Sequence, residues 1–132
     1  QELRRRASPP KFNAHNTALI SAQAKYTFEQ AKNDRTYWGR LVESAIGSHL
    51  INNKQESSSL YYWRESPSEV DFVLSSGEKL LAIEVKSGED YAAPRGLQVF
   101  ADKFKNVTPM VVGADGVAIS DFLLNPIESW LK

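Results

Sequence analysis

The chain contains no cysteine. Disulfides and zinc–thiolate sites are therefore excluded. Histidine is nearly as scarce: His15 and His49 stand alone and far apart. An imidazole-based metal centre is not expected, whereas a site built from oxygen ligands stays open. Net charge is also missing, because sixteen basic residues cancel sixteen acidic ones. That balance gives no support for a strongly basic nucleic-acid surface, although it is compatible with a local patch. No apolar run approaches the roughly 18–20 residues of a membrane span, and no signal-peptide pattern opens the chain. No membrane partner is expected, and the expected setting is the reducing cytoplasm. A phosphate-binding G-x-x-x-x-G-K-[ST] loop is absent too, so no ATP site of that type is expected in this chain. The first residue is Gln1 rather than methionine, which reads as a piece of something longer.

What remains is an ordinary globular composition, 42% hydrophobic and 24% charged over 132 residues, enough for one domain with one modest core. Residues 1–34 read as an N-terminal arm or linker. Arg4, Arg5 and Arg6 precede Pro9 and Pro10, a solvated tail in the ordinary case, and a short strand or turn is expected near Lys11–Asn13. Residues 35–132 read as the domain. The first clear element is a helix over Arg35–Leu50, with Trp38, Leu41, Val42, Ala45 and Ile46 at helical spacing. Asp34 is its expected N-cap and Asn52–Asn53 its stop. LYYWRE (Leu60–Glu65) and EVDFVL (Glu69–Leu74) read as strands, and Tyr61–Trp63 is assigned to packing. A four-residue turn at Ser75–Glu78 joins EVDFVL to KLLAIEVK as a β-hairpin. Pro94 is expected to open a helix running to about Phe104, with Leu97, Phe100, Ala101 and Phe104 as its apolar stripe. TPMVVG (Thr108–Gly113) and GVAIS (Gly116–Ser120) read as strands. NPIESWLK reads as a closing helix, with Asn as cap and proline in its first turn. The expected fold class is α/β: a mixed central sheet flanked by helices.

One feature of the hairpin is chemical. Strand parity places Leu81, Ile83 and Val85 on one face, and Ala82, Glu84 and Lys86 on the other. Val70, Phe72 and Leu74 share a face, with Asp71 opposite. A turn centred on Ser76–Gly77 pairs Asp71 with Ala82 and leaves Glu84 one diagonal step away, about 7–8 Å. Two carboxylates this close repel unless a cation sits between them. Mg²⁺ suits such a site, since it uses one or two carboxylates and keeps waters. Lys86 then stands where it can orient a water or hold charge on a phosphate. Ala82 is small and is expected to leave room above the sheet. Glu43 lies on the helix flank with Gly39 and Gly47, and is expected to lean toward Asp71 and Glu84.

This order of residues, Glu43, Asp71 and Glu84-Val85-Lys86, resembles the signature of the PD-(D/E)xK nuclease superfamily, although Val70 stands where that signature has proline. The string GRLVESAIGSHL … LYYWRE … EVDFVL … LLAIEVKSG … RGLQVFADKF looks closer still to the nuclease-like C-terminal domain of unknown function found on prokaryotic AAA-type ATPases. The resemblance covers roughly residues 35–132, with SPPKF similar to the stretch that joins the domain to the ATPase part. It implies a restriction-endonuclease-like αβββαβ sandwich. It also implies a phosphodiester hydrolase dependent on Mg²⁺ or Mn²⁺ and acting on nucleic acid, DNA foremost, with an ATPase domain as partner. Asp71, Glu84 and the Val85 carbonyl would hold the metal, Glu43 would complete the site, and Lys86 would serve the water or phosphate. Arg95, Gln98 and Arg64 are weaker substrate-binding candidates. The alternative reading is a catalytically inactive module of the same fold that binds nucleic acid or protein, in which Glu84 and Lys86 form a structural ion pair.

Overall fold

The computed structural model describes residues 7–8, 28–88 and 95–131. Two helices precede the main strands, α1 (Phe28–Asn33) and α2 (Arg35–Asn53). Asp34 lies between them in extended conformation and its carboxylate accepts the Tyr37 N–H at 3.1 Å, so α2 starts where the sequence set its cap. The helix ends after Asn53, with the Lys54 N–H still reaching the Leu50 carbonyl. Four strands follow or flank the next helix: β2 (Ser59–Glu65), β3 (Ser68–Ser76), β4 (Lys79–Lys86) and β5 (Val107–Gly113), with α3 (Arg95–Lys103) between β4 and β5. A short strand β1 (Ala7–Ser8) precedes them all.

The sheet has the order β1-β2-β3-β4-β5. Its first four strands are antiparallel neighbours and β5 joins β4 in parallel. The mixed sheet flanked by helices is the expected α/β sandwich. Each face carries its own core. On one face Phe72, Leu74, Leu81, Ile83, Met110 and Val112 pack against Val42, Ile46 and Leu50 of α2, with Phe122 and Ile127 from the C-terminal segment. On the other, Trp63, Val70, Val73 and Ala82 pack against Leu97 and Phe100 of α3. Trp63 and Phe100 meet edge to face with ring centroids 5.2 Å apart, a favoured aromatic geometry.

Several expectations change. The N-terminal arm is not wholly a solvated tail: Ala7 and Ser8 pair with Trp63 and Tyr62 of β2. The expected strand near Lys11–Asn13, the Arg4–Arg6 cluster and the Pro94 helix opening lie outside the described residues. GVAIS is not a strand. Val117 alone of these residues makes a β-bridge, to Val112, and helix α4 (Ile119–Leu124) starts two residues later. The closing segment is a short 3₁₀ turn (Ile127–Trp130) with Pro126 as its cap, rather than a helix capped by Asn125.

The hairpin register also differs. Ser76 pairs with Lys79 and Val73 with Ala82, so the turn has two residues, not four. Gly77 is the first of them, with φ 60°, the sign that a type II′ turn requires there. The slip is two residues, so each side chain keeps its face. On the other side of β3, Tyr61 pairs with Val73 but Trp63 pairs with Val70. One residue of β2, Tyr62, thus opposes two of β3, Asp71 and Phe72. This is a β-bulge. It turns Val70 into the Trp63 core instead of leaving it beside Phe72 and Leu74.

Ala82 leaves no open room. It is fully buried under α3, in the cluster with Trp63, Leu97 and Phe100. Its small size lets the helix sit close to the sheet. Ala82→Leu should therefore overpack this layer and lower stability by about 1–3 kcal/mol, read by chemical denaturation. An unchanged midpoint would mean that free space exists above Ala82.

Candidate functional site

The ladder between β3 and β4 stops at Phe72–Ile83. Continued by one position, the register sets Asp71 opposite Glu84 rather than diagonal to it. There a side chain takes over from the backbone: Asp71 Oδ2 accepts the Val85 N–H at 2.8 Å. Asp71, Glu84, Val85 and Lys86 are all half-buried. The two carboxylates predicted to act together are thus brought together, at the end of the sheet where β4 finishes.

Their electrostatics follow from this crowding. Burial raises the Asp71 pKa, the Val85 hydrogen bond and Lys86 pull it down, and Glu69 adds to the rise. Burial pushes Glu84 up to about 7, with the Asp71 charge as the next cause. Lys86 and the Asp71 backbone N–H oppose that rise without cancelling it. Lys86 acts on both carboxylates through its charge. It makes no contact ion pair with either among the described residues, so the structural Glu84–Lys86 pair is not seen. Glu84 Oε2 is buried and has no hydrogen-bond partner among the described residues, an uncommon state for a buried oxygen.

Glu43 approaches from α2. The contact that guides it is Gly39, one turn earlier, where an added Cβ would stand 3.1 Å from Ser87 Oγ at the end of β4. Glu43 is exposed at its surface, yet partial desolvation and the charges of Asp71 and Glu69 raise its pKa. It joins the group from the Asp71 side. Lys86 is fixed from the opposite side by Gly113, which pairs with it in the β4–β5 ladder. Gly113 has φ 94°, and a Cβ there would fall 1.9 Å from the Lys86 carbonyl oxygen, so only glycine fits.

The weaker candidates fall differently. Arg64 is exposed on β2 and pairs in register with Glu69, beside the acidic group. Arg95 is exposed at the first residue of α3. Gln98 is exposed on the same helix, and its amide donates to Asp102 Oδ1 at 2.9 Å, along the helix surface.

Two residues of this neighbourhood were not singled out from sequence. Glu69 raises the pKa of Glu43, Asp71, Glu84 and Tyr62 alike. Tyr62 donates its hydroxyl to Glu69 Oε2 at 2.6 Å. Burial, then this bond, pushes the Tyr62 phenol up to about 12. A signal for Glu69 existed in the Glu-x-Asp spacing of EVDFVL. None existed for Tyr62, because only the bulge brings it opposite Asp71.

A family model matches residues 38–125, from the first turns of α2 to the end of α4, and is described as "Domain of unknown function (DUF4143)". The chain belongs to that family. The match takes in Glu43, Asp71, Glu84 and Lys86, so the whole acidic group lies inside the DUF4143 region. No curated protein and no solved structure matches the chain. Among the described residues of this DUF4143 chain, no three or more His, Asp and Glu side chains are gathered so as to hold a metal on their own, and no helix is long and apolar enough to cross a membrane. The donor set at hand is therefore Asp71 with Glu84. Both are oxygen donors, the type a hard divalent cation takes, and Glu84 Oε2 has no partner among the described residues.

The raised Glu84 pKa has a consequence for stability. Between its ordinary value of 4.5 and about 7 the folded chain holds a proton that the unfolded chain has lost. Stability then falls as pH rises through that window. At about 1.4 kcal/mol per pKa unit, and with solvent screening at this half-buried site, the loss is on the order of 1–2 kcal/mol. In chelator-treated protein, denaturation midpoints should drop from pH 5 to pH 8, and Glu84→Gln should remove most of the drop. Equal slopes for the two proteins would refute this assignment.

Proposed function

We propose that the chain is a metal-dependent phosphodiester hydrolase acting on nucleic acid, DNA foremost. The observation that carries this reading is the meeting of Asp71 and Glu84 just past the end of the β3–β4 ladder, where Asp71 accepts the Val85 N–H, with a buried Glu84 oxygen that has no partner among the described residues and the Lys86 charge nearby. A protein interior does not gather carboxylates at such a cost in desolvation without some compensation. A cation held by Asp71 and Glu84 would supply Lewis-acid polarisation of a phosphate oxygen and charge to offset the acidic group. Around it, this chain's residues have separable tasks. Asp71 is oriented by the Val85 N–H. Glu84 supplies the unpartnered oxygen. Lys86 is available to hold a phosphate oxygen or orient a water. Glu43 sits where it can accept a proton, given its raised pKa. Exposed Arg64 and Arg95 supply positive charge for a polyanion.

The likeness of the Glu43, Asp71 and Glu84-Val85-Lys86 pattern to the PD-(D/E)xK signature supports the same reading. In this reading Mg²⁺ or Mn²⁺ is the cofactor and the ATPase part is a partner domain.

The test is cleavage of linear, nicked and branched DNA, and of RNA, with Mg²⁺ or Mn²⁺ present. Wild type should cut, while Asp71→Ala and Lys86→Ala should each lose at least about 100-fold, by analogy with the loss of a single electrostatic catalytic group. Activity that survives either substitution would defeat the proposal. Absence of Mn²⁺ binding by calorimetry, together with partner binding that Glu84→Gln leaves unchanged, would instead assign a non-catalytic module.

A further inference from the structure

We infer that Tyr62 and Glu69 form a positioning pair that fixes the β3 bulge and thereby sets the pose of Asp71. The inference rests on the reading of Asp71 and Glu84 as the working pair, and concerns how one of them is held.

A bulge adds a residue without adding backbone pairing, so its conformation needs support from elsewhere. Here the support converges on Glu69, two residues before Asp71. Its neighbour across the ladder is Arg64. Its carboxylate is held by the Tyr62 hydroxyl at 2.6 Å. Its backbone is held by α3: a Cβ at Gly96 would lie 1.9 Å from the Glu69 carbonyl oxygen. Residue 96 must therefore be glycine, and the first turn of α3 lies directly against the start of the bulge. Tyr62 is itself the residue that opposes Asp71 and Phe72, and its other neighbour is Ser8 of β1. The Tyr62–Glu69 bond thus ties the strand that lacks the extra residue to the strand that has it, across the irregularity. Downstream, the bulge delivers Asp71 to the Val85 N–H. Neither Tyr62 nor Glu69 is required to touch a cation or a substrate. They act through Asp71.

The Val85 amide is the reporter, because Asp71 is its hydrogen-bond partner. In amide NMR spectra of the cation-free chain, Tyr62→Phe and Glu69→Ala should each shift the Val85 resonance, and the double variant should shift it no further than either alone. Glu69→Gln keeps an acceptor for the Tyr62 hydroxyl and should leave Val85 near its wild-type position. Mn²⁺ affinity, by calorimetry, should fall roughly 10-fold in Tyr62→Phe and in Glu69→Ala, as for other groups that orient a ligand, and Glu69→Gln should restore most of it. Tyr62→Phe loses one half-buried hydroxyl, so its thermal midpoint should stay near wild type and it decides the matter if Glu69→Ala fails to fold. An unmoved Val85 amide in folded Tyr62→Phe overturns the inference, whatever the metal result. Val85 shifts as expected in a wild-type background that binds no Mn²⁺ would uphold the positioning role and reject the metal reading.

Discussion

The hydrogen bond from the Val85 N–H to the Asp71 carboxylate is the constraint on which the rest of the site depends. It stands where the β3–β4 ladder ends, so a side chain completes what the backbone leaves open. It holds a carboxylate beside Glu84 that simple repulsion would swing away. The same bond favours the ionised form of Asp71, against burial and the charge of Glu69. The site is therefore a balance: two backbone donors and one ammonium favour the two carboxylates, and desolvation works against both.

Rigid elements preserve that balance. Asp71 and Glu84 project from strands packed on both faces, with α2 on one side and α3 on the other. Three close approaches fix the margins. Gly39 brings α2 to Ser87, Gly96 brings α3 to Glu69, and Gly113 brings β5 to Lys86. A side chain at Gly96 or Gly113 would strike backbone rather than a movable side chain. Placement of acids on strands instead of loops suits chemistry that needs small tolerances.

Much of this was legible in the sequence, for identifiable reasons. Periodicity located α2 and α3, and Asp34 announced its helix, because caps and apolar stripes are local properties. Parity placed Leu81, Ile83 and Val85 together, and it survived a misjudged turn because the slip was an even number of residues. Asp71 and Glu84 meet where the β3–β4 ladder ends, Lys86 reaches both by charge and Glu43 reaches Asp71, but the acids form no three-ligand metal group among the described residues. What parity could not see was the bulge. An extra residue is a property of two strands at once, and nothing in EVDFVL alone reveals it. Val70 was assigned to the wrong face for that reason, and Tyr62 to packing alone. Ala82 departs from expectation because a small residue marks either open space or a close neighbour, and only the packing of α3 decides between them. GVAIS has the composition of a strand but too little length, and Val117 alone makes a β-bridge.

That single bridge has a further effect. β5 lies at the margin of the sheet, where unpaired backbone invites strands from other molecules. The Val117 N–H and C=O occupy Val111 and Gly113 from outside. Pro109, exposed earlier in the strand, has no N–H to offer. The far margin is occupied by Ala7 and Ser8 on β2. Both margins of the sheet thus carry small local devices that occupy part of their backbone, and each shortens the stretch an outside strand could pair with.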